Sequence, residues 1–237
     1  MKKLFFLIFT LQLLVASEIK IDLKEFDSIK NVSPLSVTVH SSDDYFAIFD
    51  NSDDLLKDFE LKIINGVLKI AHKDRSWWKF WKKFSLRSAS LKIFVPLKDI
   101  KSINNYGVGD IRTVDGIESE ALSIHQVGTG KISIASLISN ELYVKLSGTG
   151  EIKLENQSTI GIANINLSGT GNVDMLKSYA KSIDVKISGT GNVKLNVEDS
   201  LNGNINGTGK IYYIGNPKIS FKSNGTGSLQ PYKNRSL

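Results

Sequence analysis

Leu167-Ser168-Gly169-Thr170-Gly171-Asn172-Val173 is followed twenty residues later by Ile187-Ser188-Gly189-Thr190-Gly191-Asn192-Val193. The same glycine pair recurs as Gly128 with Gly130, Gly148 with Gly150, Gly207 with Gly209 and Gly225 with Gly227, after a degenerate first copy of Gly107 with Gly109. Successive copies start 21, 20, 21, 20, 18 and 18 residues apart, a period in the range of solenoid coils. Two residues beyond each second glycine stands an aliphatic: Ile111, Ile132, Ile152, Val173, Val193, Ile211 and Leu229. Ahead of the glycines the alternation runs backwards through Leu146, Leu167, Ile187 and Ile205, then Ile124, Val144, Ile165 and Val185. Apolar residues at every second position are the period of a half-buried strand. Each coil therefore reads as strand, Gly-Thr-Gly corner, strand and return.

Corners that stack on one another bring backbone against backbone, where a Cβ collides or φ turns positive. Identical corners set identical side chains about 4.8 Å apart, so seven coils make a rod on the order of 30 Å tall. The threonines between the glycines are expected to form a ladder on the outside. The fold predicted is all-β: a right-handed β-helix-like solenoid of about seven glycine-cornered coils over 101–230, preceded by a β region at 18–100 and ending in a tail at 231–237. A β-sandwich of ordinary hairpins accommodates the glycines but not the near-constant coil length.

Met1-Lys2-Lys3 and the apolar run Leu4–Val15, followed by Ala16 and Ser17, have the form of a secretory signal at 1–17. The run is too short to span a bilayer as a mature helix; its alternative is a buried N-terminal strand. The chain has no cysteine, which excludes a lipid-anchored lipoprotein and any disulfide framework. The expected location is thus exported, periplasmic or secreted.

Residues 18–100 lack glycine corners but still alternate, at Ile19–Leu23, Leu35–Val39 and Leu91–Val95, the last stopped by Pro96. Asn65-Gly66 between two apolar runs is the strongest hairpin signal, since it suits a type I′ turn. A short helical turn is expected within 53–59. The region caps or begins the stack.

One stretch is compositionally foreign: 73–87 holds all three tryptophans and six basic residues against one acid. The net charge is +6, or +4 without Lys2 and Lys3; the stretch alone carries +5, so the remainder is −1. Basicity belongs to this loop. On a helix, Trp77, Phe80, Trp81 and Phe84 share one face while Lys79, Lys82 and Lys83 point away, the pattern of a segment at a membrane interface. Trp77, Trp78, Lys79, Trp81, Lys82 and Lys83 are the candidate contact residues. The partners they fit are an anionic membrane surface, an envelope glycan or a protein; the bland reading packs the aromatics on the sheet. Nucleic acid is a poor partner for so local a charge in an exported chain. Self-assembly through coil edges is a further expectation.

Signals for chemistry are weak. The position after each corner reads Asp110, Lys131, Glu151, Asn172, Asn192, Lys210 and Ser228, a solvated ladder in which no neighbouring coils pair carboxylates. His40, His72 and His125 are scattered and lack metal-ligand spacing. Asp174 is the only acid at the last position of a calcium-type nonapeptide, and no Gly-Lys-Ser/Thr phosphate loop is present. No catalytic residue, cofactor or metal is assigned.

The repeated Leu/Ile-Ser-Gly-Thr-Gly-Asn/Glu-Val/Ile, with the upstream hairpin at Asn65-Gly66 and the Val95-Pro96 stop, resembles the bacterial "putative auto-transporter adhesin, head GIN domain" family over most of the chain. The resemblance implies an exported β-helix-like protein without established catalytic residues. The stretch 73–87 stands as an insertion relative to that pattern. The function expected is an exported, non-enzymatic binding or structural module of the cell envelope, adhesin-like through the resemblance. The alternative is a polysaccharide-acting lyase or hydrolase, which requires acids clustered in a groove beside the coils.

Overall fold

A computed structural model describes residues 18–49, 58–73 and 90–233. The signal segment 1–17 and the six candidate contact residues Trp77, Trp78, Lys79, Trp81, Lys82 and Lys83 lie outside the described residues, as does most of the helical turn expected within 53–59. Nearly everything described is strand. The N-terminal region contributes β1 (Ile19–Asp22), β2 (Ser28–Asn31), β3 (Ser36–Ser41), β4 (Phe46–Phe49), β5 (Phe59–Ile64), β6 (Val67–His72) and β7 (Ser90–Val95). After a 3-10 turn at Leu97–Asp99 come β8 (Ser102–Asn105), β9 (Ile111–Thr113), β10 (Ile117–Gly128), β11 (Lys131–Ile134), β12 (Leu137–Gly148) and β13 (Glu151–Leu154). The chain ends with β14 (Ser158–Gly169), β15 (Asn172–Asp174), β16 (Ser178–Gly189), β17 (Asn192–Gly207), β18 (Lys210–Ile214), β19 (Lys218–Asn224) and β20 (Ser228–Pro231).

From β8 onward the chain winds as a β-solenoid of about six turns. Long strands pair in parallel with long strands, and short ones with short ones, each one coil further on. Gly128 faces Gly148, which faces Gly169 and then Gly189. Each turn has three sides. The long strands bend once, at Glu120, Asn140, Gly161 and Lys181, where the pairing skips a residue. At Asn140-Glu141 two successive side chains therefore face out. Gly161 is the glycine of this bend: a Cβ there would lie 2.4 Å from the Asn140 carbonyl oxygen.

The glycine corners close the other end of the long strand, and the two glycines of a corner are there for different reasons. The first of each full copy, Gly128, Gly148, Gly169, Gly189, Gly207 and Gly225, has positive φ. The second does not: Gly130, Gly150, Gly171, Gly191, Gly209 and Gly227 have no positive φ, and what they meet is a need for space. A Cβ on Gly130 would lie 2.4 Å from the Gly109 oxygen, on Gly150 2.4 Å from the Gly130 oxygen, and on Gly209 2.5 Å from the Gly191 oxygen. Gly227, at the last corner, departs from this pattern. Its Cβ would first meet the Ile205 side chain at 2.4 Å, with the Gly209 oxygen further off at 3.0 Å. The degenerate copy lacks positive φ at both Gly107 and Gly109, where a Cβ would come within 2.0 Å of the Ser33 oxygen and 2.1 Å of the Leu35 oxygen.

Gly189 and Gly191 show the pair at work. Gly189 has φ +136°, and its Cβ would sit 2.3 Å from the Gly169 oxygen; one on Gly191 would sit 2.2 Å from the Gly171 oxygen. The close approach is used: Thr190 N–H and Gly191 N–H both donate to the Gly169 carbonyl, at 2.9 and 3.1 Å. The threonines are exposed in a column, and the hydrogen bonds that join their corners run through backbone. Inside, the aliphatic columns read from the sequence are buried, for example Ile124, Val144, Ile165 and Val185, each at most 2% exposed, and only Leu229 in the last rung is partly open.

The region 18–100 both begins and caps the stack, in an order the chain does not follow. β2 pairs in parallel with β6 on one side and β8 on the other; β3 does the same with β7 and β9. The β2–β3 rung therefore lies between the β6–β7 rung and the first repeat coil. Antiparallel β5 and β4 then flank β6 and β7, and β1 covers β4. The Asn65-Gly66 turn between β5 and β6 has φ of 50° and 74°, as a type I′ turn needs.

In these lower rungs buried amides line the corners, and in the β2–β3 rung, whose corner runs through Val32-Ser33-Pro34-Leu35, one stands in for glycine. Asn31 Nδ2 donates to the Leu35 carbonyl at 2.9 Å, and Asn105 Nδ2 donates to the Gly109 carbonyl at 2.7 Å and to Gln126 Oε1 at 3.0 Å. The column Asn31, Asn105, Gln126 then turns apolar at Leu146. Asn31 and Asn105 thereby satisfy corner carbonyls that would otherwise be buried without a partner, whereas Gln126 Nε2 is buried and has none.

Candidate functional site

Three surfaces bear on function. The first is the side formed by the short strands, where Lys131 and Glu151, the residues after two successive corners, pair at 3.3 Å. Beside that column Lys131 meets Glu155 at 3.6 Å, Lys153 meets Glu155 at 2.6 Å, and Lys194 meets Asp174 at 3.7 Å. The Lys153 ammonium holds the Glu155 carboxyl below its ordinary range, against desolvation that pushes it up. A carboxyl so depressed stabilises the fold above its unfolded value of about 4.3, and that contribution is lost as pH falls through the lower folded value. Lys153→Met is therefore expected to lower Tm by about 2–4 °C at pH 7, as about 1 kcal/mol would in a domain of this size. The gap between the melts of the variant and the parent should narrow as pH falls below about 4.3.

The second surface is the root of the basic aromatic stretch. β6 lies on the long-strand side and β7 on the short-strand side of one rung. Ile70 faces Asn31, which faces Asn105; Leu91 faces Val37, which faces Ile111. The chain passes from β6 to β7 through residues 73–89, seventeen residues, where the corresponding connection from β8 to β9 takes five, 106–110.

The third surface was not legible in advance. At the bend column, the repeat coils and the N-terminal cap enclose a groove of about 1090 Å³. A shallower one of about 470 Å³ shares Lys98, Ser119, Glu120 and Asn140 with it and continues to Gly161 and Tyr179. Together they span four rungs, roughly 15 Å along the stack. The cap wall is held by pairs. Tyr45 donates its hydroxyl to Asp99 Oδ2 at 3.1 Å, Phe26 packs edge-on to Tyr45 at 5.4 Å, and Lys101 meets Asp27 at 3.0 Å. On the coil wall Ser139 Oγ donates across the bend to the Glu141 carbonyl at 2.7 Å, and Tyr143 donates its hydroxyl to the Glu141 carboxylate. Burial, then Asp99, pushes the Tyr45 phenol up; Glu141 does the same to Tyr143.

Glu25, Asp27, Asp99, Glu120 and Glu141 line the larger groove against Lys98 and Lys101. Acids are thus gathered, though not in the column after the corners where sequence reasoning tested for them. The carboxyls clearly displaced among the described residues, Asp27, Glu60 and Glu155, all lie low; for Asp27 the Lys101 hydrogen bond is the main cause. The histidines stand apart: His40 stacks on Phe94, His72 packs edge-on to Phe59, and His125 Nδ1 lies 3.1 Å from the Tyr106 hydroxyl. Among the described residues no group of His, Cys, Asp and Glu is arranged to hold a metal ion, and no helix is long and apolar enough to cross a membrane.

A family model described as "Putative auto-transporter adhesin, head GIN domain" matches residues 25–217. Among solved structures, a "putative adhesin" from Bacteroides fragilis is 23% identical, with a TM-score of 0.82 over 91% of this chain and 96% of that one. A "putative adhesin" from Parabacteroides merdae is 18% identical, with a TM-score of 0.70 over 92% and 96%. A protein from Parabacteroides distasonis described as a "putative lipid binding protein" is 20% identical, with a TM-score of 0.67 over the same shares. These are likenesses of fold. No curated protein matches the chain.

Proposed function

The chain belongs to the "putative auto-transporter adhesin, head GIN domain" family, and from that premise we propose that it is an exported, non-enzymatic binding module of the bacterial cell envelope whose contact surface is the basic aromatic stretch 73–87. The observation that supports this reading is the composition of the connection between β6 and β7, a +5 stretch that holds all three tryptophans of the chain. Tryptophans at headgroup depth with lysines against anionic groups make a peripheral anchor. The related fold described as lipid-binding is consistent with such a role. A signal at 1–17 supplies the route out of the cytoplasm, and the mature chain starts near residue 18.

Co-sedimentation with vesicles tests the proposal. The protein should pellet with vesicles containing anionic phospholipid and stay in the supernatant with neutral ones. The triple variant Trp77→Ala, Trp78→Ala, Trp81→Ala should lose at least tenfold in partitioning while keeping its thermal melt. Equal partitioning of parent and variant would refute the contact surface.

One observation favours the second reading, a polysaccharide-acting hydrolase or lyase: the carboxylates around the groove. A carboxylate pair that cleaves glycosidic bonds needs one member held protonated near neutrality by its surroundings. Asp27 is moved the opposite way, by Lys101.

A further inference from the structure

We propose that the groove at the bend column is a binding site for a neutral oligosaccharide chain that crosses the bend obliquely to the axis of the stack. The proposal deepens the binding-module reading but rests on a different surface, so either can fail without the other. A pyranose ring presents an apolar C–H face and a rim of hydroxyls. A site that holds it combines exposed aromatic faces with polar groups around them. Tyr143 and Tyr179 are the aromatic faces, 45% and 43% exposed. They stand on strands β12 and β16, two rungs or about 10 Å apart along the stack, and on opposite sides of the bend, since Tyr179 is level with Thr159 and Ile138, five residues before Tyr143. That separation suits a chain of several sugar units. Between and beside them the lining offers hydroxyl, amide and carboxylate groups, Ser119, Glu120, Asn140 and Thr159 among them.

The groove is prepared for a ligand. Tyr143 is tied to Glu141 and Tyr179 to Glu198, so the rings keep their orientation and little side-chain entropy is lost on binding. The bend that forms the floor is fixed by Gly161 beneath Asn140 and by the Ser139 hydroxyl. Charge decides the class of sugar. The larger groove carries five carboxylates against two lysines, a net −3 that repels uronate, sulfate and phosphate groups while still accepting hydrogen bonds from hydroxyls. A neutral ligand of this kind should bind with little dependence on salt.

Electrophoresis of the purified protein through native gels containing one soluble polysaccharide each provides the test, with poly-lysine as a cationic control. The neutral probes are β-glucan, mannan, galactomannan and xyloglucan; the anionic ones are alginate and polygalacturonate. The expected result is retardation by at least one neutral polysaccharide, unchanged at 0.5 M salt and weakened at least tenfold in the double variant Tyr143→Ala, Tyr179→Ala. Both residues are half-exposed, so the double variant should retain the parent's melt, and the tryptophan triple variant should be retarded like the parent. Absence of retardation by any neutral probe would overturn the proposal, as would retardation that the tyrosine variant keeps. Retardation by poly-lysine alone would overturn it in favour of a cationic peptide ligand. Recovery of the bound polysaccharide at its original length would separate binding from cleavage.

Discussion

Gly189→Ala should leave the protein unable to hold its fold, with a loss of more than about 4 kcal/mol in urea unfolding followed by circular dichroism. Two penalties act together. The backbone at φ +136° is a conformation that a residue with a Cβ occupies only at a cost of about 1–3 kcal/mol. The added methyl would also lie 2.3 Å from the Gly169 carbonyl oxygen. That oxygen belongs to backbone and accepts the N–H groups of Thr190 and Gly191, so moving it breaks the bonds that join two corners. Gly191→Ala separates the causes, because its conformation is ordinary while its Cβ would meet the Gly171 oxygen at 2.2 Å. Thr190→Ala, exposed between the two, should change stability by less than about 0.5 kcal/mol. An array whose rungs are stable only through their neighbours should register a corner defect on both sides of it. A Gly189→Ala protein with the parent's urea midpoint would refute the account of the corners.

The second large effect is expected at Ile165, 1% exposed in the middle of the stack with Val144 below it and Val185 above. Ile165→Asp should cost about 5 kcal/mol or more, since the carboxylate has apolar side chains on both sides and must be buried unpaired or protonated. A domain holds only about 5–15 kcal/mol in total, so the expected observation is loss of the folded β signal at 25 °C. Ile165→Val places in this rung the residue already present in both neighbouring rungs, and should cost about 0.5–1.5 kcal/mol for the lost methylene. A folded aspartate variant with an unchanged melt would mean that the column is not the core.

The repeat coils were legible because their constraint is local: each corner needs Gly-Thr-Gly, and each strand alternates around it. What a linear motif does not reveal is that its two glycines answer to different demands, φ at Gly128 or Gly148 and room at Gly130 or Gly150. Residues 18–100 could be read as strands but not placed. Their corners run through Val32-Ser33-Pro34-Leu35, closed by the side chain of Asn31, and an amide at that position carries no periodic signal. The insertion of the β2–β3 rung between β7 and β8 leaves no trace in a linear pattern. The groove escaped for a related reason. Asp27, Asp99, Glu120 and Glu141 come from separate segments brought together by the cap and the bend. The one available hint was the outward column Glu120, Asn140, Gly161, Lys181, which becomes visible once the coils are aligned on their bends rather than on their corners.

The out-of-order rung also sets a timetable. Within the repeats a residue meets its partner about twenty positions along the chain, as Ile124 meets Val144. β2 waits for β8, and Asp27 meets Lys101 across 74 residues. Closing that longer loop costs more entropy before any contact repays it, and contacts between distant residues slow folding. The repeat coils can wind up one upon another as each is completed, whereas β2 and β3 gain a neighbour on one side when β6 and β7 are made and keep the other edge open until β8 and β9 follow. The strands made first are thus the ones that present an unpaired edge for longest.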